Sequence, residues 1–315
     1  MPAENLIDFT KNGILRVDYL RDGLLEEFHE GVYEVGVSTV SSSTPYYLRS
    51  CAKPLQASLL ISYNIDFTQE EIAFCSGSHA GEICHIETAK NILNKLKLDE
   101  SFLQCGIHPP LSRSMQDKML LSGEKYSVLH NNCSGKHLGF LAICQKNGWD
   151  LKNYYKPEHP LQLEVKKRIF ELCEISNDNT YPVTTDGCGV PIVSMPLKNL
   201  LLGYKKLAKF YPQIIEAILQ NPYIYGGENR LDTEIVQNSK NIIAKVGAEG
   251  LCVVYNLERD AGFVVKMNDA SMEARKIAVL EIINRLKWAN IKYDNLIKTL
   301  NGTVVGEITV TKINV

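Results

Sequence analysis

The hydrophobic pattern of this chain changes period along its length, and that change limits the folds open to it. Residues 31–40, Gly-Val-Tyr-Glu-Val-Gly-Val-Ser-Thr-Val, alternate in the manner of a strand. Leu251 to Tyr255 is a continuous apolar run, as in a strand covered on both faces. Arg259-Asp260-Ala261-Gly262 then punctuates, and Phe263 to Met267 reads as a hairpin partner. Gly302 to Val310 is the last strand candidate. Between these ends the period is helical. Helices are expected from near Ser50, with Leu55, Leu59 and Tyr63 on one face, and after Gly81, with Ile86, Ile92, Leu93 and Leu96. Others are expected over 113–123, 136–146, 160–173 and 207–219, the last carrying a stripe of Phe210, Ile214 and Ile218. A further helix over 270–288 turns Val279, Ile282, Ile283 and Leu286 inward, and Ser41 to Pro45 reads as a turn.

This order implies an α/β (α+β) fold, an antiparallel sheet built from the N- and C-terminal segments with a helical region inserted. No linker, repeat or low-complexity tract divides the 315 residues. One domain over 1–315 is therefore expected, with a sheet lobe from about 1–50 and 245–315 and a mostly helical lobe from about 51–244. Charged residues make up 22% and the formal net charge is −2, with no Lys/Arg cluster interleaved with aromatics, so no nucleic-acid partner is expected. Lys166-Lys167-Arg168, flanked by Glu164 and Glu171, reads as a solvated helix face. No apolar stretch approaches a membrane span, and Met1 to Asn5 opens no export signal. Nine cysteines without framework spacing point to reduced thiols and a cytoplasmic protein.

Chemistry concentrates in a few polar stretches. His130-Asn131-Asn132-Cys133-Ser134-Gly135-Lys136-His137 carries no aliphatic side chain and runs straight into Leu138-Gly139-Phe140-Leu141-Ala142-Ile143. That is a loop of ligands and hydrogen-bonders feeding a buried helix, or more simply a helix start capped by Ser134 or Asn132. In Arg49-Ser50-Cys51-Ala52-Lys53-Pro54, Ser50 and Lys53 are three apart, so a helix brings the amine to the hydroxyl. A neutral lysine there can act as general base for a serine nucleophile. As a bare pattern it equally fits a Ser50 cap with Lys53 on a wet first turn.

Cys75-Ser76-Gly77-Ser78-His79-Ala80-Gly81-Glu82 supplies a hydroxyl and an imidazole beside small residues, or a capped helix start. Glu82 and His85 are spaced for a metal, but no second Glu-x-x-His helix completes such a site. Thr184-Thr185-Asp186-Gly187-Cys188-Gly189 holds a thiol on a tight turn with an acid nearby. With Cys133 and Lys136 it forms a candidate zinc set, although either cysteine alone reads as a core residue. Lys266 lies in an apolar strand, on the face of Gly262 and Val264, where a lysine needs a partner or edge exposure.

Taken in order, Arg49-Ser50-x-x-Lys53-Pro54, Ser78-His79-x-Gly81-Glu82, Asn131 to His137 and Asp186-Gly187-Cys188-Gly189-x-Pro191 resemble the Rhizobium-type L-asparaginase II family. The resemblance runs from about His29 to Lys266. It implies a serine-β-lactamase-like fold, a homodimer, and hydrolysis of L-asparagine to L-aspartate and ammonia without an organic cofactor. Ser50 with Lys53 and Ser78 with Lys266 match the family's two Ser–Lys pairs. Cys133, Lys136 and Cys188 match its zinc ligands, and Arg49, His79, Asn132 and Asp186 are candidates for holding substrate. The connection before Arg49 is shorter and more Ser-rich than the family's acidic turn, which bears on the rim of the pocket. Rival readings are a glutaminase or β-lactam-acting enzyme on the same fold, and a non-catalytic metal or thiol sensor using Cys133 and Cys188.

Overall fold

A computed structural model describes residues 15–20, 32–35, 44–176, 181–267 and 270–307. In chain order the strands and helices are β1 (Leu15–Leu20), β2 (Val32–Val35), β3 (Pro45–Tyr47), α1 (Lys53–Ser62), α2 (Gln69–Ser76), α3 (Ile83–Leu96), α4 (Arg113–Ser122), α5 (Ser134–Asn147) and α6 (Pro160–Leu172). They continue with β4 (Val183–Thr185), β5 (Pro191–Pro196), α7 (Leu197–Phe210), α8 (Pro212–Gln220), α9 (Pro222–Tyr225), α10 (Leu231–Gln237), β6 (Ile242–Val246), β7 (Leu251–Asn256), β8 (Ala261–Met267), α11 (Met272–Arg285), β9 (Leu296–Lys298) and β10 (Val304–Glu307).

The main sheet has the order β2-β1-β8-β7-β6, every pairing antiparallel. The α+β arrangement expected from the hydrophobic periods is therefore present: N-terminal β1 and β2 join C-terminal β6–β8, and the helices α1–α10 lie between them in sequence. The continuous apolar run of β7 has a direct cause. Cys252 and Val254 face one core with Phe263, Val265 and α11, while Leu251, Val253 and Tyr255 face the other, on the side of the helical region. Covered on both faces, the strand has no polar side to show. Each Ile or Val fully buried there contributes about 1.5–3 kcal/mol.

Several elements depart from the expected pattern. The single helix anticipated over 207–219 is two, because Pro212 removes an amide donor and forces Tyr211 out of helical geometry (φ −133°, ψ 55°). Ile214 and Ile218 are fully buried, but Phe210 is 57% exposed and leaves the stripe. Pro45 lies in β3, paired with Pro196, rather than in a turn. Residues 41–43 lie outside the described residues, as do 31 and 36–40 of the first strand candidate and 308–310 of the last. The β7–β8 connection is tighter than expected, since Ala261 and Gly262 already pair with Asn256 and Tyr255. A three-stranded sheet, β3-β5-β4, sits within what reads in sequence as helical territory.

Candidate active site

The Ser50 segment leaves β3 and passes through one short turn of 3₁₀-helix, Arg49–Ala52, before α1 begins at Lys53. Pro54 sits in the first turn of α1, where its missing N–H costs nothing. Its neighbours pin it: Cys51 donates through sulfur to the Lys245 carbonyl, and Tyr204 donates to the Cys51 carbonyl at 2.9 Å. Ser50 is half-buried, and Lys53 is almost wholly buried.

Lys53 Nζ donates to Ser78 Oγ and to the Asn132 carbonyl, both at 2.9 Å. Ser78 is thus joined to Lys53, while the Nζ of Lys266 bonds the carbonyls of Glu249 (2.6 Å) and Met267 (2.8 Å). Lys266 does share the Gly262 and Val264 face of β8, which looks toward the helical region. Burial pushes the Lys53 amine below the ordinary lysine range, with the nearby Cys133 opposing and Lys136 assisting.

Ser78 follows Gly77, whose hydrogen occupies a space where a Cβ would lie 2.0 Å from the Tyr225 carbonyl oxygen. The chain therefore passes flush against α9. His79 is fully buried and both its nitrogens are committed: Nδ1 accepts the Gly81 N–H at 3.1 Å, so Nε2 donates to Ser134 Oγ at 2.8 Å. Burial and the neighbouring His85 hold it neutral, well below the usual histidine range. His79 ties the Ser78 loop to the start of α5, and its ring nitrogens do not open onto a ligand.

The polar octet behaves as a loop feeding a buried helix. Asn131 donates to the carbonyls of Cys105 and Gly106 and accepts the Cys133 N–H, so it shapes the turn that presents the Asn132 carbonyl. Gly135 lets the first turn of α5 cross α2, where a Cβ would meet the Phe74 oxygen at 2.4 Å. Every residue from Ser134 to Cys144 is buried. Within that turn Lys136 Nζ lies 3.0 Å from Cys188 Sγ. Cys188 sits on the β4–β5 turn, closed by the Asp186 N–H to Val190 and the Gly189 N–H to Asp186. The Cys133 thiol and Lys136 hold Cys188 as a thiolate, its pKa brought down to about 4 against the effect of burial, while its bond to Cys188 pushes Cys133 up to about 12.

Arg49 joins this cluster to the sheet. Its Nε bonds Asp186 Oδ1 at 2.9 Å and its Nη1 bonds the Glu249 carboxylate on the β6–β7 turn. Burial opposes the Asp186 charge, but Lys136 and Arg49 keep its carboxyl below the ordinary range. Below Arg49, β6 carries Lys245, which with Asp232 of α10 makes a fully buried ion pair at 3.0 Å. Glu249 and the Asp232–Lys245 pair are the neighbouring residues that sequence reading passes over.

The candidate zinc set is thus brought together, Cys133 and Lys136 each bonded to Cys188. Glu82, Cys84 and His85 also lie within reach of one ion. There, however, His85 Nδ1 accepts the Glu82 N–H and Nε2 donates to the Tyr223 carbonyl, leaving no ring lone pair open.

Over residues 17–311 the sequence matches the family model of L-asparaginase II, and the chain belongs to that family, whose members hydrolyse amides. No curated protein matches it. No helix among the described residues is long and apolar enough to cross a membrane.

Proposed function

We propose that this chain hydrolyses the side-chain amide of L-asparagine to L-aspartate and ammonia by Ser–Lys acyl transfer on a serine-β-lactamase-like fold. The observation that carries the reading is the buried 2.9 Å contact between Lys53 Nζ and Ser78 Oγ, with the half-buried Ser50 three residues before Lys53 in the chain. A neutral Lys53 has two N–H groups, matched by Ser78 and the Asn132 carbonyl, and one lone pair remaining for a serine proton. Ser50 Oγ attacks the carboxamide carbon while its proton passes to Lys53. Ser78 then gives its proton to the leaving nitrogen and recovers one from Lys53, releasing ammonia and leaving an acyl ester on Ser50. Water cleaves that ester, its proton passing through Lys53 to the departing Ser50 Oγ, and aspartate leaves. Arg49 anchors the α-carboxylate, with Asp186 and the Asn132 turn bounding the pocket.

The donor set at Cys133, Lys136 and Cys188 fits zinc. It offers two sulfurs and an amine, one sulfur already anionic and the second thiol bonded to it. Lys136 would release its proton to become a ligand. A bound zinc supplies fixed positive charge and rigidity beside the substrate pocket. The homodimer belongs to the same reading and is tested by light scattering on the purified chain.

The deciding experiment is ammonia release from L-asparagine and L-glutamine, with ring opening of a β-lactam panel followed by ultraviolet absorbance, and Ser50→Ala alongside. Asparagine-dependent release, lost in the variant, is expected. Turnover of glutamine alone would move the assignment to a glutaminase, and metal binding without any serine-dependent hydrolysis would move it to the sensor reading.

A further inference from the structure

Arg49 is held in an unusual way for a residue that receives a substrate carboxylate. A planar guanidinium grips a carboxylate with two parallel N–H bonds, from Nε and Nη2 on its side edge or Nη1 and Nη2 on its end. Asp186 takes Nε and Glu249 takes Nη1, so each edge has one donor already engaged. The two carboxylates are not equivalent. Asp186 is nearly buried and is locked in the β4–β5 turn by two backbone hydrogen bonds. The Glu249 side chain is 55% exposed.

The backbone around Glu249 is fixed from three sides. Lys266 Nζ bonds the Glu249 carbonyl, Arg275 bonds the carbonyls of Gly247 and Leu251, and the Gly247 N–H closes the turn onto Leu251. Arg49 and Glu249 both sit at positive φ, 47° and 59°, a conformation unfavourable for residues with a side chain. Two disfavoured backbone positions are thus maintained, and they bring this cation and this carboxylate together. The component exposed to solvent is the Glu249 side chain.

We propose that Glu249 is a built-in stand-in for the substrate α-carboxylate, occupying the end edge of Arg49 and swinging outward when an amino-acid carboxylate enters. Each binding event exchanges one ion pair for another. Ligands with an α-carboxylate can displace Glu249; amides without one cannot, so the exchange adds discrimination at the rim. The proposal rests on the reading of Arg49 as the carboxylate anchor.

The test is calorimetric binding of L-aspartate to the wild type, Glu249→Gln and Glu249→Ala, with β-alaninamide, which lacks the α-carboxylate, as the control ligand. An exposed ion pair of this kind accounts for a factor of about 2 to 5 in affinity. Both variants should therefore bind L-aspartate about 2- to 5-fold tighter and β-alaninamide no tighter. Equal or weaker aspartate binding, equal gains for both ligands, or no aspartate binding by any form would overturn the proposal. Ammonia release from asparagine by the wild type is scored separately. Tightened aspartate binding without ammonia release would sink the proposed reaction and leave the gate; release with unchanged binding would do the reverse.

Discussion

Replacing Asp232 with asparagine removes a charge and almost no volume from the fully buried pair under the Ser50 segment. In the wild type its Oδ2 lies 3.0 Å from Lys245 Nζ and 3.5 Å from the Val246 N–H, and its Oδ1 lies 3.9 Å from Arg230 Nε. After the change, Lys245 keeps the Val246 carbonyl at 2.9 Å but has lost its counter-ion. Breaking one side of a buried pair costs about 3–5 kcal/mol, because the survivor is an uncompensated buried charge. Lys245→Met should cost less, since Asp232 keeps Arg230 within 3.9 Å. The double variant should regain roughly 2 kcal/mol of the summed loss, as neither charge remains. Urea unfolding followed by circular dichroism measures all three midpoints, and a shared m-value certifies the comparison. Acid adds a second readout. Burial would raise the Asp232 carboxyl, but Lys245 and Arg230 outweigh it and hold the pKa below the ordinary 3.8. Its contribution is therefore fully present above pH 3.8 and lost as pH falls through the lower folded value, a component missing in the variant. A loss under about 1 kcal/mol in Asp232→Asn would refute the reasoning, because it would mean the pair is relieved by water.

Ser78→Ala should lower kcat for asparagine by about 10²- to 10⁴-fold, the usual worth of a proton-transfer group, while thermal unfolding barely moves. Because burial lowers Lys53 and the base must be neutral, kcat/KM should rise with pH through that lowered pKa and then level off; a profile flat from pH 5 to 10 would count against Lys53. In Gly77→Ala the new Cβ meets the Tyr225 oxygen at 2.0 Å, so a backbone must shift, at a cost of roughly 1–3 kcal/mol in urea unfolding. Cys188→Ser should weaken zinc by more than the about 10- to 100-fold lost with an outer partner, read by competition with a chromophoric chelator; unchanged affinity would remove Cys188 from the set.

What could be read from sequence follows from which interactions are local. The helices over 113–122, 134–147 and 160–172 declare themselves through period and punctuation, and the β7–β8 hairpin through two apolar runs around Arg259-Asp260. The candidate site residues are legible because Ser, Lys, Cys and His crowd into polar stretches. Their partners are not. Ser50 and Lys53 are neighbours in sequence, yet the Lys53 amine reaches across to Ser78, a choice set by how α1, α2 and α5 pack. The strand Ile242-Ile243-Ala244-Lys245-Val246 passed unnoticed, and with it the β6–β7 turn that carries Glu249. The available signal was a lysine inside a five-residue apolar run: fully buried, it demands a counter-ion from elsewhere in the chain, and Asp232 supplies it.

The charges at the site give a further reason to place the base at Lys53. Three lysines are buried close together: Lys53, Lys136 and Lys245. Lys136 lies against the Cys188 thiolate, and the two thiols keep its ammonium above the ordinary range despite burial. Lys245 has Asp232, and Arg49 has two carboxylates. The hydrogen-bond partners of Lys53 are a hydroxyl and a carbonyl, both neutral. A buried cation keeps its proton only where an opposite charge offsets desolvation. Of the three, Lys53 is the one whose bonded neighbours provide none, and the cationic Lys136 beside it makes a second positive charge dearer still. Of these three buried amines, Lys53 is the one that the arrangement favours as proton acceptor in the proposed reaction, and it is the one that touches Ser78.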